Sequence, residues 1–454
     1  MFDGGKPVRE ADGHREQNTG FYYIETYGCQ MNVYDSEVLA GHLENMGYLP
    51  VAQEEDCDVL VLNTCAVRQK AEEKVFSRLG RLRPLKKTKP HLLIVLWGCM
   101  AQQEHVSQRV RERFSFVDLV GGTHSLDRFP QLLEKARQSN RTIISREEEG
   151  DREGFPVKRM DDIKAWVPIS HGCNNYCTYC IVPYVRGPEK SRSPQAIIRE
   201  VKGLIEEGYK EITLLGQNVN SYGKDLDKGM DFADLLQILD RLEGLVHLRY
   251  MTSHPRDFNE KIIQNIRQGK KICEHIHLPL QSGSNKVLKM MNRGYTREYY
   301  LSLTRKIADL LPYYSLTTDL IVGFPGEEEK DFDDTLEMVQ KIKFDAAYTF
   351  VYSPRPGTKA MHMKNQVAPE IKKKRIMLLN EIQNEISLEK NRQLLGTEQI
   401  VLVEGRSKTD ARVYAARTRT NKIVHFTSHK NLLGALIAVK IIEAKPWTLT
   451  GEYR

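Results

Sequence analysis

Cys173, Cys177 and Cys180 lie four and then three residues apart in the run His171-Gly172-Cys173-Asn174-Asn175-Tyr176-Cys177-Thr178-Tyr179-Cys180. Three thiolates so close together on one loop suit a single soft metal centre, and iron–sulfur clusters are its usual occupant. Zinc ordinarily draws four ligands, in pairs separated by two residues. No fourth Cys or His stands at suitable spacing nearby. A cubane cluster held by three cysteines keeps one iron free of protein. That open corner can take a small chelating molecule, whereas a closed four-cysteine site is fit mainly for electron transfer.

A second set of thiols is spread along the chain. Cys29, Cys65 and Cys99 each follow an apolar run that reads as a strand, at 21–26, 58–63 and 92–97, with a fourth strand at 117–120. Helical periodicity lies between them. After the first run, Val38, Leu39, Leu43 and Met46 mark a helix for which Asp35 or Ser36 is the expected cap and Gly47 the stop. Such alternation predicts an open parallel sheet with helices packed on it. Ligands collect at the carboxyl edge of such sheets, so neighbouring strands would bring these three thiols into one crevice, a second three-thiolate site. Cys57 and Cys273 have no such placement and read as small buried hydrophobes.

The chain that must position these residues has 454 residues, a length that predicts about three domains. Its 40% hydrophobic and 28% charged content is that of an ordinary soluble protein. No apolar run is long enough to span a membrane, and the N-terminus lacks the apolar core of a secretory signal. Eight cysteines in an unsecreted chain argue for thiol or metal chemistry in a reducing, cytoplasmic compartment. A net charge of +7 is mildly basic and by itself says little about a polyanionic partner.

Residues 1–20 read as a polar disordered leader, 21–140 as the first cysteine domain and 141–164 as a charged linker. From 165 to 390 a new series of strands is expected at 166–170, 211–215, 247–252, 275–280, 315–322 and 346–352, with helices between them, and a long helix then starts at Pro369. Six strand–helix units suggest a partial barrel, whose sites sit on the face formed by the strand C-termini. The loop of Cys173 follows the first strand directly. Polar residues end the others: Gln217 and Asn218, Ser253, Gln281, and Thr318 with Asp319 inside the fifth. For each of these, contact with a cofactor and a plain turn-capping role both remain open. Arg186 and Arg192 could neutralise cluster or cofactor charge, or contact nucleic acid. Residues 391–454 read as a small all-β module in which basic residues outnumber acidic ones two to one. Arg417, Arg419 and Lys422 form a plausible backbone-gripping surface there.

The C-x-x-x-C-x-aromatic-C loop, with Tyr179 in the aromatic slot, resembles that of radical S-adenosylmethionine enzymes, and the last module resembles the RNA-binding TRAM domain. The three-domain order, with Tyr27-Gly28-Cys29-Gln30-Met31-Asn32 and Tyr176-Cys177-Thr178-Tyr179-Cys180, resembles the radical S-adenosylmethionine methylthiotransferase family from about residue 20 to the end. The resemblance implies an α/β protein: an N-terminal open parallel-sheet domain, a central partial (β/α)6 barrel and a C-terminal small β-barrel. It implies two 4Fe-4S clusters, one on Cys173, Cys177 and Cys180 that cleaves S-adenosylmethionine to a 5′-deoxyadenosyl radical, and one on Cys29, Cys65 and Cys99 that holds the sulfur to be transferred. A first S-adenosylmethionine would methylate that sulfur and a second would supply the radical. Tyr179, Gln217, Asn218, Ser253, Gln281 and Asp319 stand at positions that contact the cofactor in that family. The implied substrate is isopentenyl-adenosine beside the tRNA anticodon, with the TRAM module gripping the stem-loop and the base splayed out to be reached. An aromatic C–H bond is too strong and too weakly acidic for general base catalysis, which is why radical chemistry is needed.

Alternatives are the same chemistry on threonylcarbamoyl-adenosine or on an aspartate of a ribosomal protein, a radical enzyme that only methylates, and a non-catalytic RNA-binding iron–sulfur protein. The basic module favours RNA over a protein target, and open irons argue against a purely structural site. An electron donor of flavodoxin or ferredoxin type is implied, and the sulfur donor is not written in the sequence.

Overall fold

The computed structural model describes residues 19–66, 69–146, 153–227, 229–407 and 410–453, so nearly all of the expected leader and part of the expected linker lie outside the described residues. The chain divides into two compact units. The first holds the described residues up to Asp161 together with His171–Asn174 and Cys180–Arg192. The second holds Asp162–Ser170, Asn175–Tyr179 and the chain from Ser193 onward.

The first unit is built on a parallel six-stranded sheet of β1 (Gly20–Thr26), β2 (Tyr48–Pro50), β3 (Val59–Thr64), β4 (Leu93–Gly98), β5 (Leu119–Gly121) and β6 (Ile143–Ser145), in the order β2-β1-β3-β4-β5-β6. Every residue of β3 and β4 is buried, as expected of central parallel strands covered on both faces. Two short edge strands escape the sequence reading. β2 and β6 have three residues each, too few to show a pattern, and β6 lies in the stretch expected to be linker.

Helix α1 (Gln30–Asn45) also begins earlier than expected, with Cys29 at its N-cap. Asp35 and Ser36 are therefore not caps but buried residues inside the helix. Their side chains are spent on neighbours: Asp35 accepts from Arg186, and Ser36 bonds Asn63 and Thr26. A side chain engaged in tertiary contacts does not compete for its own backbone, which removes the usual penalty of Asp and Ser within a helix.

In the second unit, Lys164–Pro168, Glu211–Leu215, His247–Tyr250, His275–His277, Ser315–Val322 and Ala346–Val351 form two parallel three-stranded sheets. A bridge from Leu248 to Ile272 continues the row between them. The third and fourth strands stop short of their expected ends, at Tyr250 and His277. Thr252 and Gln281 both have φ 71°, a left-handed conformation that costs a non-glycine residue about 1–2 kcal/mol. Backbone strain of this kind tends to persist where function requires it.

Helix Pro369–Arg392 leads to a closed five-stranded barrel in the order Glu398–Arg406, Val413–Thr418, Ile423–Thr427, Thr448–Glu452, Leu436–Ala444. The barrel is closed by strand Thr448–Glu452, which carries a glycine at position 451. Gly451 belongs there: a Cβ at that position would lie 2.2 Å from Val439. Among the described residues, no helix is long and apolar enough to cross a membrane.

Candidate functional site

The N-terminal thiols are assembled by three adjacent strands. β1, β3 and β4 are neighbours, and Cys29, Cys65 and Cys99 follow their C-terminal ends. Gly28 (φ 146°) passes so near Cys65 that an added Cβ would lie 2.9 Å from the Cys65 Cβ, and Gly98 (φ 100°) would meet Asn63 Oδ1 at 2.4 Å. Both turns thus require glycine. A buried amide network fixes the floor. Asn63 Nδ2 donates to the Asn32 carbonyl and to Ser36 Oγ, both at 2.8 Å, and Asn32 Nδ2 donates to the Thr64 carbonyl at 3.2 Å. Cys29 Sγ lies 3.4 Å from Asn32 Oδ1. Cys65 and Cys99 are buried, while Cys29 is exposed.

Arg186 reaches this floor from the segment after Cys180. Its Nε donates to Cys99 Sγ at 3.2 Å and its Nη2 to Asp35 Oδ2 at 2.7 Å, with both side chains buried. Burial pushes the Cys99 thiol up, while Arg186 pulls it down. Nothing in sequence spacing links Arg186 to Cys99. Arg192, the second arginine singled out, pairs with Glu153 at 3.0 Å.

Gly172 (φ 71°) lets the radical-type loop leave its strand, for an added Cβ there would lie 1.9 Å from the Pro188 carbonyl oxygen. The Cys173 amide donates to Gly187 O at 3.2 Å. In the second unit, Arg293 Nη1 donates to Cys177 Sγ at 3.2 Å and approaches the Tyr179 hydroxyl at 3.5 Å. Its Nη2 donates to the Pro279 carbonyl and its Nε to Tyr295. Cys173 and Cys177 are buried and Cys180 half-buried. Among the described residues, no three His, Cys, Asp or Glu side chains already converge on one metal ion. A cubane, whose ligands sit on separate irons, does not need such convergence. Cys57 and Cys273 are buried apart from these sites, with burial pushing each thiol up to about 12.

Beyond the barrel strands, a row of buried polar atoms has no partner among the described residues: Gln217 Oε1, Asn218 Oδ1, Ser253 Oγ and Gln281 Oε1, all expected from sequence, and also both amide atoms of Asn220 and His254 Nε2. Leaving such groups unsatisfied costs about 1–3 kcal/mol each, so the set fits a ligand carrying both donors and acceptors, as an amino acid joined to a nucleoside does. His254 Nδ1 accepts from the Arg256 amide, which leaves the proton on Nε2. Burial, with Arg293 beside it, drives the ring down to about 2, so it is a neutral donor. Asn220 and His254 were missed, although each sits within two residues of a strand-end residue that was not. Asn218 is anchored through Nδ2 to Asp257 at 2.7 Å. Asp319 is partly exposed, 3.5 Å from His277 Nε2.

The three expected RNA-gripping residues turn elsewhere. Arg417 pairs with Glu404 at 2.6 Å, Arg419 with Glu274 at 2.6 Å, and Lys422 with Asp345 at 2.7 Å. Arg419 also donates to the carbonyls of Lys270 and Ile272. Glu274 and Asp345 flank barrel strands, so this stretch docks the module on the barrel. A count of charges cannot tell a cation already paired with a carboxylate from a free one, and all three of these are paired.

The sequence matches the Radical SAM superfamily over residues 167–339, the family described as uncharacterized protein family UPF0004 over 21–122 and the TRAM domain over 392–453. It is 53% identical over 433 residues to the tRNA-2-methylthio-N(6)-dimethylallyladenosine synthase of Natranaerobius thermophilus, covering 95% of this chain and 96% of that one. The protein of the same name from Desulforamulus reducens is 52% identical, covering 96% of each. The fold is similar to that of the radical S-adenosylmethionine methyltransferase TsrM from Kitasatospora setae, with TM-score 0.53, 13% identity and 75% of each chain covered. The sheet edge with three cysteines, the radical-type loop on a six-stranded half-barrel and the closed β module thus occur in one chain in the family's order, and this chain belongs to the radical S-adenosylmethionine methylthiotransferase family, among the tRNA-2-methylthio-N(6)-dimethylallyladenosine synthases.

Proposed function

We propose that the protein converts isopentenyl-adenosine beside the tRNA anticodon to its 2-methylthio derivative, using S-adenosylmethionine and two 4Fe-4S clusters, one on Cys173, Cys177 and Cys180 and one on Cys29, Cys65 and Cys99. The observation that carries this reading is the delivery of Cys29, Cys65 and Cys99 to one edge by three adjacent strands. A methylation-only enzyme would use that second three-thiol site at most as an electron relay. When bound, the clusters and S-adenosylmethionine supply one-electron chemistry for a C–H bond that no side chain could deprotonate. The protein's own part is to hold and to orient. Arg293 sets the Cys177 thiol, Tyr179 lies beside it, and Gln217, Asn218, Ser253, His254, Gln281 and Asp319 offer polar atoms to the cofactor. Mass spectrometry of nucleosides from isopentenylated tRNA, after reaction with reconstituted protein, S-adenosylmethionine and a reductant, tests the reading. A methylthio product is expected. Cleaved cofactor with unmodified tRNA would point instead to threonylcarbamoyl-adenosine or the ribosomal protein.

RNA would be gripped at the other end of the β module from Arg417. There the exposed Arg406 lies over the Tyr414 ring at 4.4 Å, and the exposed Lys430 lies 5.7 Å from the Tyr453 ring centre. Replacing both cations with Gln should weaken tRNA binding and reduce the slope of log K against log salt by roughly 1–2. Arg419→Gln should leave that slope unchanged. The reverse pattern would return the interface to residues 417–422.

A further inference from the structure

Two buried arginines each touch one cysteine of a three-cysteine set, and they differ in what they have left to give. Arg293, against Cys177, has Nε, Nη1 and Nη2 all engaged by Tyr295, by Cys177 and by the Pro279 carbonyl. Arg186, against Cys99, has Nε and Nη2 engaged, but its Nη1 is buried with no hydrogen-bond partner among the described residues. The Arg186 side chain is 2% exposed, so bulk water does not serve that atom. Cys99, which accepts from Arg186 Nε, belongs to an apolar cluster with Ala66, Ile181 and Val185. Asp35 Oδ2, 2.7 Å from Nη2, supplies a counter-charge to the guanidinium. A buried cationic donor without an acceptor is costly. It is retained where something absent from the polypeptide accepts from it.

We propose that Arg186 is a positioning residue for the iron–sulfur centre on Cys29, Cys65 and Cys99. Its Nε–H holds the Cys99 thiolate, and its remaining Nη1–H donates to sulfur carried at that centre. Asp35, accepting from Nη2 at 2.7 Å, fixes the orientation of the guanidinium against Cys99. The inference rests on the assignment of a cluster to these three cysteines. Three thiolates on a cubane give a negative centre, and hydrogen bonds to its sulfurs are among the factors that set its potential. Removing a buried cation and two such donors makes the centre harder to reduce.

The test uses the full chain with Cys173, Cys177 and Cys180 replaced by Ala, so that only the N-terminal centre can be loaded. Iron content and an EPR-monitored redox titration are compared for Arg186, Arg186→Gln and Arg186→Lys. Arg186→Gln is expected to disfavour one-electron reduction tenfold, a fall of ~59 mV in midpoint. Arg186→Lys, which keeps the charge but cannot span Asp35 and Cys99 together, should shift in the same direction by less. If Arg186→Gln does not retain its cluster, Arg186→Lys alone decides. Full clusters with an unmoved midpoint overturn the role of Arg186 and leave the cluster assignment standing. Absence of iron from the Arg186 protein overturns the cluster assignment, and this inference with it.

Discussion

Cys99→Ala should leave S-adenosylmethionine cleavage intact and stop formation of the methylthio nucleoside, whereas Cys173→Ala should abolish both. The asymmetry follows from where the two thiols stand. Cys173 belongs to the three-cysteine loop that follows strand Lys164–Pro168 in the chain. Cys99 ends β4, on the sheet edge shared with Cys29 and Cys65. Alanine at Cys99 removes one thiolate of that trio and strands the Arg186 Nε–H that it accepts from. Chromatography of 5′-deoxyadenosine and mass spectrometry of digested tRNA read the two outcomes in one reaction. Full thiolation by Cys99→Ala would remove the sulfur-carrying role from the N-terminal site. Loss of cleavage in Cys99→Ala would mean that the two cysteine sets do not act separately.

The largest structural effect is expected at Arg249. This buried arginine donates through Nε to Glu211 at 2.7 Å, through Nη1 to the Arg419 carbonyl at 2.9 Å and through Nη2 to the Thr418 carbonyl at 2.8 Å. One side chain therefore neutralises a barrel carboxylate and ties the β module to the barrel. Arg249→Met leaves Glu211 buried with only His247 at 3.3 Å, and breaking such a pair costs about 3–5 kcal/mol. Urea unfolding should show that loss, and limited proteolysis should release the C-terminal module sooner.

The same seam sets an acid limit. Burial raises the Glu211 carboxyl, but Arg249 and His247 outweigh it and hold the group well below its usual range. Asp345 is likewise held down by Lys422 and Lys390, and Glu404 by Arg417 and Lys164, in each case against burial. A depressed carboxylate pKa contributes stability that is complete above the ordinary value and lost as the pH falls below about 4.5. The wild-type protein should lose stability on that acid limb, and Arg249→Met, having already lost the Glu211 part, should lose less. Equal stability of the two proteins at neutral pH would show that the seam contributes nothing.

The placement of the cysteines after strands was legible because it follows from repetition. Apolar runs that end at Cys29, Cys65 and Cys99 need only be parallel neighbours for the thiols to meet. The barrel strands and their polar ends were legible for the same reason, as far as Gln217, Asn218, Ser253 and Gln281. What stayed hidden depends on contacts between distant stretches. Arg186 lies 87 residues from Cys99, and no periodicity announces that they touch. Asp35 looked like a cap because its partner could not be seen. Arg417, Arg419 and Lys422 looked like a nucleic-acid surface because the carboxylates they meet, Glu404, Glu274 and Asp345, are mostly far off in sequence. The glycine at 451 is explained only by closure of the barrel, where a Cβ would lie 2.2 Å from Val439.

Of the three thiols on the sheet edge, Cys29 is exposed and Cys65 and Cys99 are sealed in. The nascent site therefore has a doorstep. An incoming iron–sulfur unit, or any oxidant that strays there, meets Cys29 first, and the inner pair is reached only afterwards. For the centre proposed on these three cysteines, maturation would have a direction written into the chain.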